Sequence, residues 1–214
     1  MESKICYIFG AGEQTLCNIE LSPEDLVIAA DGGFDYLLSI GLRADYVIGD
    51  FDSVLSYVLP ADSIRYPKEK DDTDMMLAVK LGLEKGYHEF IIYGGLGGRL
   101  DHTLANIQVL TYLSRNGALG TLYSNDYALR VVTDGTISFG KDAPENTLGN
   151  TISIFSLSDV SVNVTLVGFK YEIEDENLTN AFPLGISNEF TGKKAYVNVK
   201  KGTVAVLWYL PSRD

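Results

Sequence analysis

The chain has 214 residues, 46% of them hydrophobic and 21% charged, with a formal net charge of -12. Such a composition belongs to a folded globular chain, and the length allows one large domain or two small ones. The acid excess argues against a nucleic-acid partner, because phosphate backbones are bound through surplus Lys and Arg; it leaves room for a cationic small molecule, or for a polyphosphate met through a divalent cation.

No apolar run approaches the roughly 20 residues needed to span a bilayer. The opening run Ile5–Phe9 is too short for a signal-peptide core and stops at Gly10, so a soluble cytoplasmic protein is expected. Cys6 and Cys17 fit no zinc spacing, and Cys6 lies in an apolar run that suits a buried free thiol. The two glycosylation-type triplets at Asn163 and Asn177 are read as chance matches.

In chain order, Ile5–Phe9, Leu26–Ala30, Tyr46–Ile48 and Phe90–Tyr93 read as buried strands bounded by Gly, Asp or Pro. A helix is predicted over Thr73–Lys85, with Thr73 as N-cap and Gly86 just past its end. A second is predicted over Asp101–Arg115, where Leu104, Ile107, Leu110 and Leu113 recur at three-residue steps before Gly117. Strands alternating with helices imply an α/β domain built on a mainly parallel sheet covered on both faces.

From about Tyr127 the pattern changes. Ala128–Thr133, Thr136–Phe139, Thr151–Leu157, Val160–Val167, Ala195–Val199 and Thr203–Leu210 are rich in β-branched and aromatic residues, without a helical period among them. Gly, Asn and Asp punctuate these runs, which suggests a small all-β sandwich. The expected organisation is an α/β domain over residues 1–126 and a β-sandwich domain over residues 127–214.

Chemistry-bearing residues gather where the first-half strands end. Leu26–Ala30 runs into Asp31-Gly32-Gly33, Tyr46–Ile48 into Gly49-Asp50-Phe51-Asp52-Ser53, and Phe90–Tyr93 into Gly94-Gly95-Leu96-Gly97-Gly98-Arg99-Leu100-Asp101. Ligands of open α/β sheets bind beyond the carboxyl ends of the strands. A fourth segment, Lys70-Asp71-Asp72-Thr73-Asp74, puts acids at a helix start. Asp50 and Asp52, two residues apart, point to one side of an extended segment. Two unpaired carboxylates about 4 Å apart repel by about 4 kcal/mol at an effective dielectric of 20. A divalent cation removes that penalty, and magnesium suits a few carboxylates shared with substrate phosphates.

Asp74 is the third candidate ligand, and Asp31 a further acid able to orient a metal-bound water. The glycines Gly95, Gly97 and Gly98 let backbone N–H groups approach phosphate oxygens, and Arg99 beside them offers a forked donor. Each segment alone also reads as ordinary turn or helix-start chemistry, with Asp101 an N-cap and Arg99 a solvated charge. His102 is read as a helix residue.

Several motifs are missing. There is no G-x-x-x-x-G-K-[ST], Gly10-Ala11-Gly12 lacks the third glycine of the dinucleotide fingerprint, and two histidines without paired Cys do not make a zinc hydrolase. Metal-assisted phosphoryl chemistry is what remains.

Ala30-Asp31-Gly32-Gly33, Gly49-Asp50-Phe51-Asp52-Ser53, Asp71-Asp72-Thr73-Asp74 and Gly94–Asn106 (GGLGGRLDHTLAN) resemble, in this order, the motifs of the thiamin diphosphokinases. The likeness extends over essentially the whole chain and is most specific in the first half. It implies transfer of the diphosphate of ATP to the hydroxyl of thiamin, with Mg2+ as cofactor, in a homodimer whose active sites lie between subunits.

Carried over residue by residue, the resemblance makes Asp50, Asp52 and Asp74 the magnesium and diphosphate site, with Asp31 and Gly32 beside the nucleotide. Lys70, Thr73, Gly95, Gly97, Gly98 and Arg99 would face the ATP phosphates, and Asp101 the substrate. In the second half Ser187, Asn188 and Trp208 resemble thiamin-side elements. Trp208 offers a ring face to a cationic thiazolium or else fills the sandwich core; Ser187 and Asn188 are otherwise turn formers. Two further readings stay open. One is a diphosphokinase for another heterocyclic alcohol, such as a hydroxymethylpterin; the other is a non-catalytic nucleotide or thiamin sensor.

Overall fold

The computed structural model describes residues 4–15, 19–51, 60, 63–67, 69, 71–140 and 151–211. Asp52 and Lys70, both site candidates, lie outside the described residues, as does Cys17. The chain divides into two compact units, Met1–Ser124 and Asn125–Asp214.

The first unit alternates strands and helices: β1 (Ile5–Phe9), β2 (Leu26–Ala30), α1 (Gly33–Ser39), β3 (Tyr46–Gly49), β4 (Ile64–Arg65), α2 (Asp74–Glu84), β5 (Glu89–Tyr93), α3 (Leu100–Arg115) and β6 (Leu119–Tyr123). Its strands lie in the order β6-β5-β1-β2-β3-β4, and every pair is parallel. Alternation along the strands divides the side chains between two faces. Tyr7, Phe9, Val27, Ala29 and Val47 pack with Phe34, Tyr36 and Leu37 of α1. On the other face α2 comes so close that a methyl group at Gly82 would sit 2.5 Å from the Phe90 ring and 2.9 Å from Cys6 Sγ. Helices therefore cover both faces. Residues such as Ile8, Ile28, Phe90 and Ile92 have no exposed surface; each large apolar side chain so buried stabilises the fold by about 1.5–3 kcal/mol.

The helix starts follow local chemistry. Thr73 caps α2, its Oγ1 accepting the Met76 N–H at 3.2 Å, which replaces a missing intrahelical partner. The start of α3 differs from expectation. Arg99, not Asp101, occupies the N-cap position, and Asp101 stands in the first turn with Oδ1 accepting the His102 N–H at 3.0 Å. A carboxylate there is stabilised by the helix N-terminus without being its cap.

The second unit holds two antiparallel sheets. One has the order β12-β9-β14-β7 and the other β11-β10-β13-β8. Their strands are β7 (Tyr127–Thr133), β8 (Thr136–Phe139), β9 (Thr151–Ser156), β10 (Val160–Val167), β11 (Ile173–Thr179), β12 (Gly185–Glu189), β13 (Ala195–Lys201) and β14 (Thr203–Tyr209). The sheets meet through buried side chains. Phe139 of β8 stands edge-on to Trp208 of β14 at 5.4 Å, and Ser156 of β9 shares a 2.8 Å hydrogen bond with Ser161 of β10. Among the described residues no helix is long and apolar enough to cross a membrane.

Candidate active site

In the first unit a cleft of about 650 Å³ opens at the carboxyl ends of the strands, a volume in the range of small-molecule sites. It is walled by Gly12 and Glu13 after β1, Asp31 after β2, Thr73 and Asp74 at the start of α2, and Gly95, Gly97, Gly98 and Arg99 between β5 and α3. His102 and Asn106 of α3 close one side. The segments after β2 and β5 and at the start of α2, far apart in sequence, thus converge on one crevice.

The backbone fits tightly behind this cleft. Gly94 adopts φ +63, a conformation costly for residues with a Cβ, and a methyl group there would lie 2.3 Å from the Gly10 carbonyl. A methyl at Gly33 would lie 1.9 Å from the Phe9 carbonyl, so glycine is what lets α1 start against the end of β1. Asp31 takes φ +49; its N–H donates to Ile48 at 2.7 Å and its carbonyl accepts from Phe34 at 3.1 Å. These bonds fix the turn between β2 and α1 and hold the carboxylate in the cleft wall.

Arg99 and Asp101 form a two-point ion pair, with Nε to Oδ1 at 3.1 Å and Nη2 to Oδ2 at 2.5 Å. The hydrogen bond from Arg99 holds the Asp101 carboxyl below the usual carboxylate range. The same contact raises the guanidinium further above neutrality. Both side chains are well exposed, so the pair adds little stability; its effect is to orient the fork.

Asp31, Thr73, Asp74, Gly95, Gly97, Gly98 and Arg99 all line the cleft. Asp50 and Gly32 stand just outside its lining. Asp50 follows Gly49, where an added methyl would crowd Asp31 at 3.1–3.2 Å, and Gly32 is the N-cap of α1. Asp101 is exposed on the first turn of α3. Among the described residues no group of three or more His, Cys, Asp or Glu side chains is gathered to hold a metal ion. The cleft also contains residues that the sequence analysis gave no site role: Gly12, Glu13, His102 and Asn106. Position was the available signal, since Gly12 and Glu13 follow the end of β1 just as Asp31 follows β2.

The candidates in the second unit are distributed differently. Asn188 and Trp208 both pair with Ile152 of β9, which puts them in one row on the inner face of their sheet; they are 3% and 5% exposed. Asn188 is consumed by backbone. Its Oδ1 accepts from the N–H of Tyr171 at 3.0 Å and of Glu189 at 2.9 Å, and its Nδ2 donates to the Tyr171 carbonyl at 2.7 Å. Trp208 has the surroundings of a core residue, with the Phe139 ring against it and the Arg130 guanidinium 5.9 Å from its centroid. Ser187 sits in a bulge of β12 at φ +55 and is exposed.

Residues 18–119 match the family described as thiamin pyrophosphokinase, catalytic domain, and residues 136–204 the family described as thiamin pyrophosphokinase, vitamin B1 binding domain. The thiamine pyrophosphokinase of Bacillus subtilis (strain 168) is 32% identical over 189 residues, covering 85% of this chain and 86% of the relative. The crystal structure of the Bacillus subtilis thiamine pyrophosphokinase superposes with a TM-score of 0.85 at 29% identity, over 98% of this chain and 100% of that one. The structure of the Geobacillus thermodenitrificans thiamin pyrophosphokinase gives 0.79 at 26% identity, over 97% and 98%. With both of its family domains matched in order and a relative this similar over most of its length, the chain belongs to the thiamin pyrophosphokinase family.

Proposed function

We propose that the cleft of the first unit binds ATP and that its walls carry the chemistry of the family, in-line attack by the thiamin hydroxyl on the β-phosphorus of ATP with AMP leaving. The chain is an ATP-dependent diphosphotransferase that forms thiamin diphosphate. The observation that supports this placement is the meeting of Asp31, Thr73, Asp74, the Gly95–Gly98 backbone and Arg99 in one crevice.

Reactions of this kind ask a protein mainly for positioning and charge neutralisation. In this reading the backbone N–H groups between Gly95 and Gly98, the Thr73 hydroxyl, Gly32 and Lys70 hold the phosphates. Arg99 neutralises charge developing on the transferred group. The carboxylates Asp50, Asp52 and Asp74 are the residues to hold magnesium, with Asp31 as a neighbouring acid. A donor set of hard carboxylate oxygens without Cys or His suits that ion. When bound, magnesium supplies neutralisation of the ATP phosphates.

Two carboxylates compete to accept the hydroxyl proton. The hydrogen bond from Arg99 makes Asp101 a weaker base than an ordinary carboxylate, whereas Asp74 lines the cleft directly. Asp101 then serves best by aiming Arg99 and bordering the substrate. We assign residues 1–126 to the nucleotide and 127–214 to thiamin, and expect a cytoplasmic homodimer. On the thiamin side, Ser187 is the exposed polar candidate, while Asn188 and Trp208 would shape the wall from behind.

The test is incubation with ATP, magnesium and thiamin. AMP and thiamin diphosphate appearing in equal amounts is the expected result. ATP binding without AMP would instead indicate a sensor, and AMP released only with another alcohol, such as a hydroxymethylpterin, would change the acceptor.

A further inference from the structure

We infer that Asn106 is a positioning residue that sets the glycine loop between β5 and α3 for phosphate, by turning one carbonyl away from the cleft. The inference rests on reading that loop as the ATP phosphate site. A loop that binds an anion through its N–H groups must keep its carbonyl oxygens from facing the same anion.

Here four successive carbonyls are each held by a donor. Tyr93 accepts from Gly10 N–H at 2.8 Å, Gly94 from Gly12 N–H at 2.7 Å, and Leu96 from Glu13 N–H at 2.8 Å. The carbonyl between them, Gly95, has no backbone donor in this series. It is taken by Asn106 Nδ2 at 2.6 Å. The N–H groups of Gly95, Gly97 and Gly98 donate to no backbone carbonyl among the described residues, and all three residues line the cleft.

Asn106 is an unusual choice for its position. It lies in the second turn of α3 and is 7% exposed, whereas asparagine favours caps and turns over helix interiors and a buried amide needs partners. An apolar side chain would satisfy the helix packing. What the amide adds is the contact to Gly95, which ties the loop to the rigid body of the helix while the segment after β1 ties it from the other side. The loop is clamped in one conformation before ATP arrives.

The test is Asn106→Leu, close in size but without the donor, assayed together with Gly12→Ala. A methyl at Gly12 would stand 2.6 Å from both the Gly94 and the Leu96 carbonyls, and so pushes the same clamp open from the opposite side. Kinetics against each substrate, thiamin affinity by calorimetry and Tm are measured for both variants. The expected result is KM for ATP raised about tenfold, the equivalent of about 1.4 kcal/mol. Thiamin affinity should stay within about twofold and Tm within a few degrees. An unchanged KM for ATP in both variants, with thiamin diphosphate still made by the wild-type chain, overturns the clamp and leaves the ATP reading intact. Equal loss of ATP and thiamin binding alongside a large fall in Tm also overturns it, showing a packing role only. A wild-type chain that makes no thiamin diphosphate overturns the ATP reading itself.

Discussion

Arg99 and Asp101 face each other across a single residue, joined at two points at the mouth of the cleft and at the start of α3. An exposed pair of this kind contributes little to folding, so what it does for the protein must lie in where it aims the guanidinium. Arg99→Lys keeps the charge but loses the planar fork. We expect kcat/KM for ATP to fall about ten- to a hundredfold with Tm unchanged, read by steady-state kinetics and calorimetry. The same arrangement sets a pH dependence. Because Arg99 depresses the Asp101 carboxyl, the pair is complete above the ordinary carboxylate range and is lost only as pH falls through the lowered value. A pH profile from neutral down to about 5 should therefore show no loss of activity that Asp101→Asn removes.

The carboxylates are the second test. Asp52→Asn and Asp74→Asn each remove one charge from the set assigned to magnesium. Turnover should drop at least about a hundredfold in each, while circular dichroism and Tm stay near wild type. Near-normal turnover of Asp52→Asn would remove the metal assignment.

Much of this architecture can be read in the residues, and the reasons are local. Ile5–Phe9 and Leu26–Ala30 are strands at those bounds because short apolar runs between glycines and acids have few other ways to be buried. Helix α1 is not apparent in the pattern. It has seven residues, so the helical three-residue step from Phe34 to Leu37 has no room to repeat. Strand β11 is hidden for the opposite reason. Its sequence IEDENLT exposes four successive polar residues at the edge of a sheet, where charge discourages unwanted pairing and erases the alternation that marks a strand. The meeting of Asp31, Asp74 and Gly95–Gly98 was legible because strand ends converge in α/β sheets. Asn106 was not, since its role depends on which carbonyl lies across the turn from it.

Asn188 shows how a polar residue in the right place can serve structure. Its amide makes three hydrogen bonds, two of them to the backbone of Tyr171. Asn188→Ala should cost about 1–3 kcal/mol in denaturant unfolding, the penalty for polar groups left without partners. Its effect on KM for thiamin should be smaller than the effect of Ser187→Ala. A stable Asn188→Ala protein with lost thiamin binding would return the residue to direct contact.

Gly82 reports on how closely α2 approaches the sheet. Replacing it by Ala gains helix propensity, worth about 0.8–1.0 kcal/mol. The added methyl, however, would meet the Phe90 ring at 2.5 Å and Cys6 Sγ at 2.9 Å, and both neighbours are fully buried. Overpacking a tight core costs about 1–3 kcal/mol, so the net effect of Gly82→Ala should be destabilising. Cys6 offers a second readout. Burial pushes its thiol well above the ordinary range, leaving too little thiolate to react while the fold is closed. Mass spectrometry should find Cys6 unmodified by iodoacetamide in the wild-type protein and modified faster in Gly82→Ala, as the helix is levered off the strand beneath it. A variant as stable and as well protected as wild type would mean that the helix relaxes away from Phe90 without loss, and that glycine is not required for this contact.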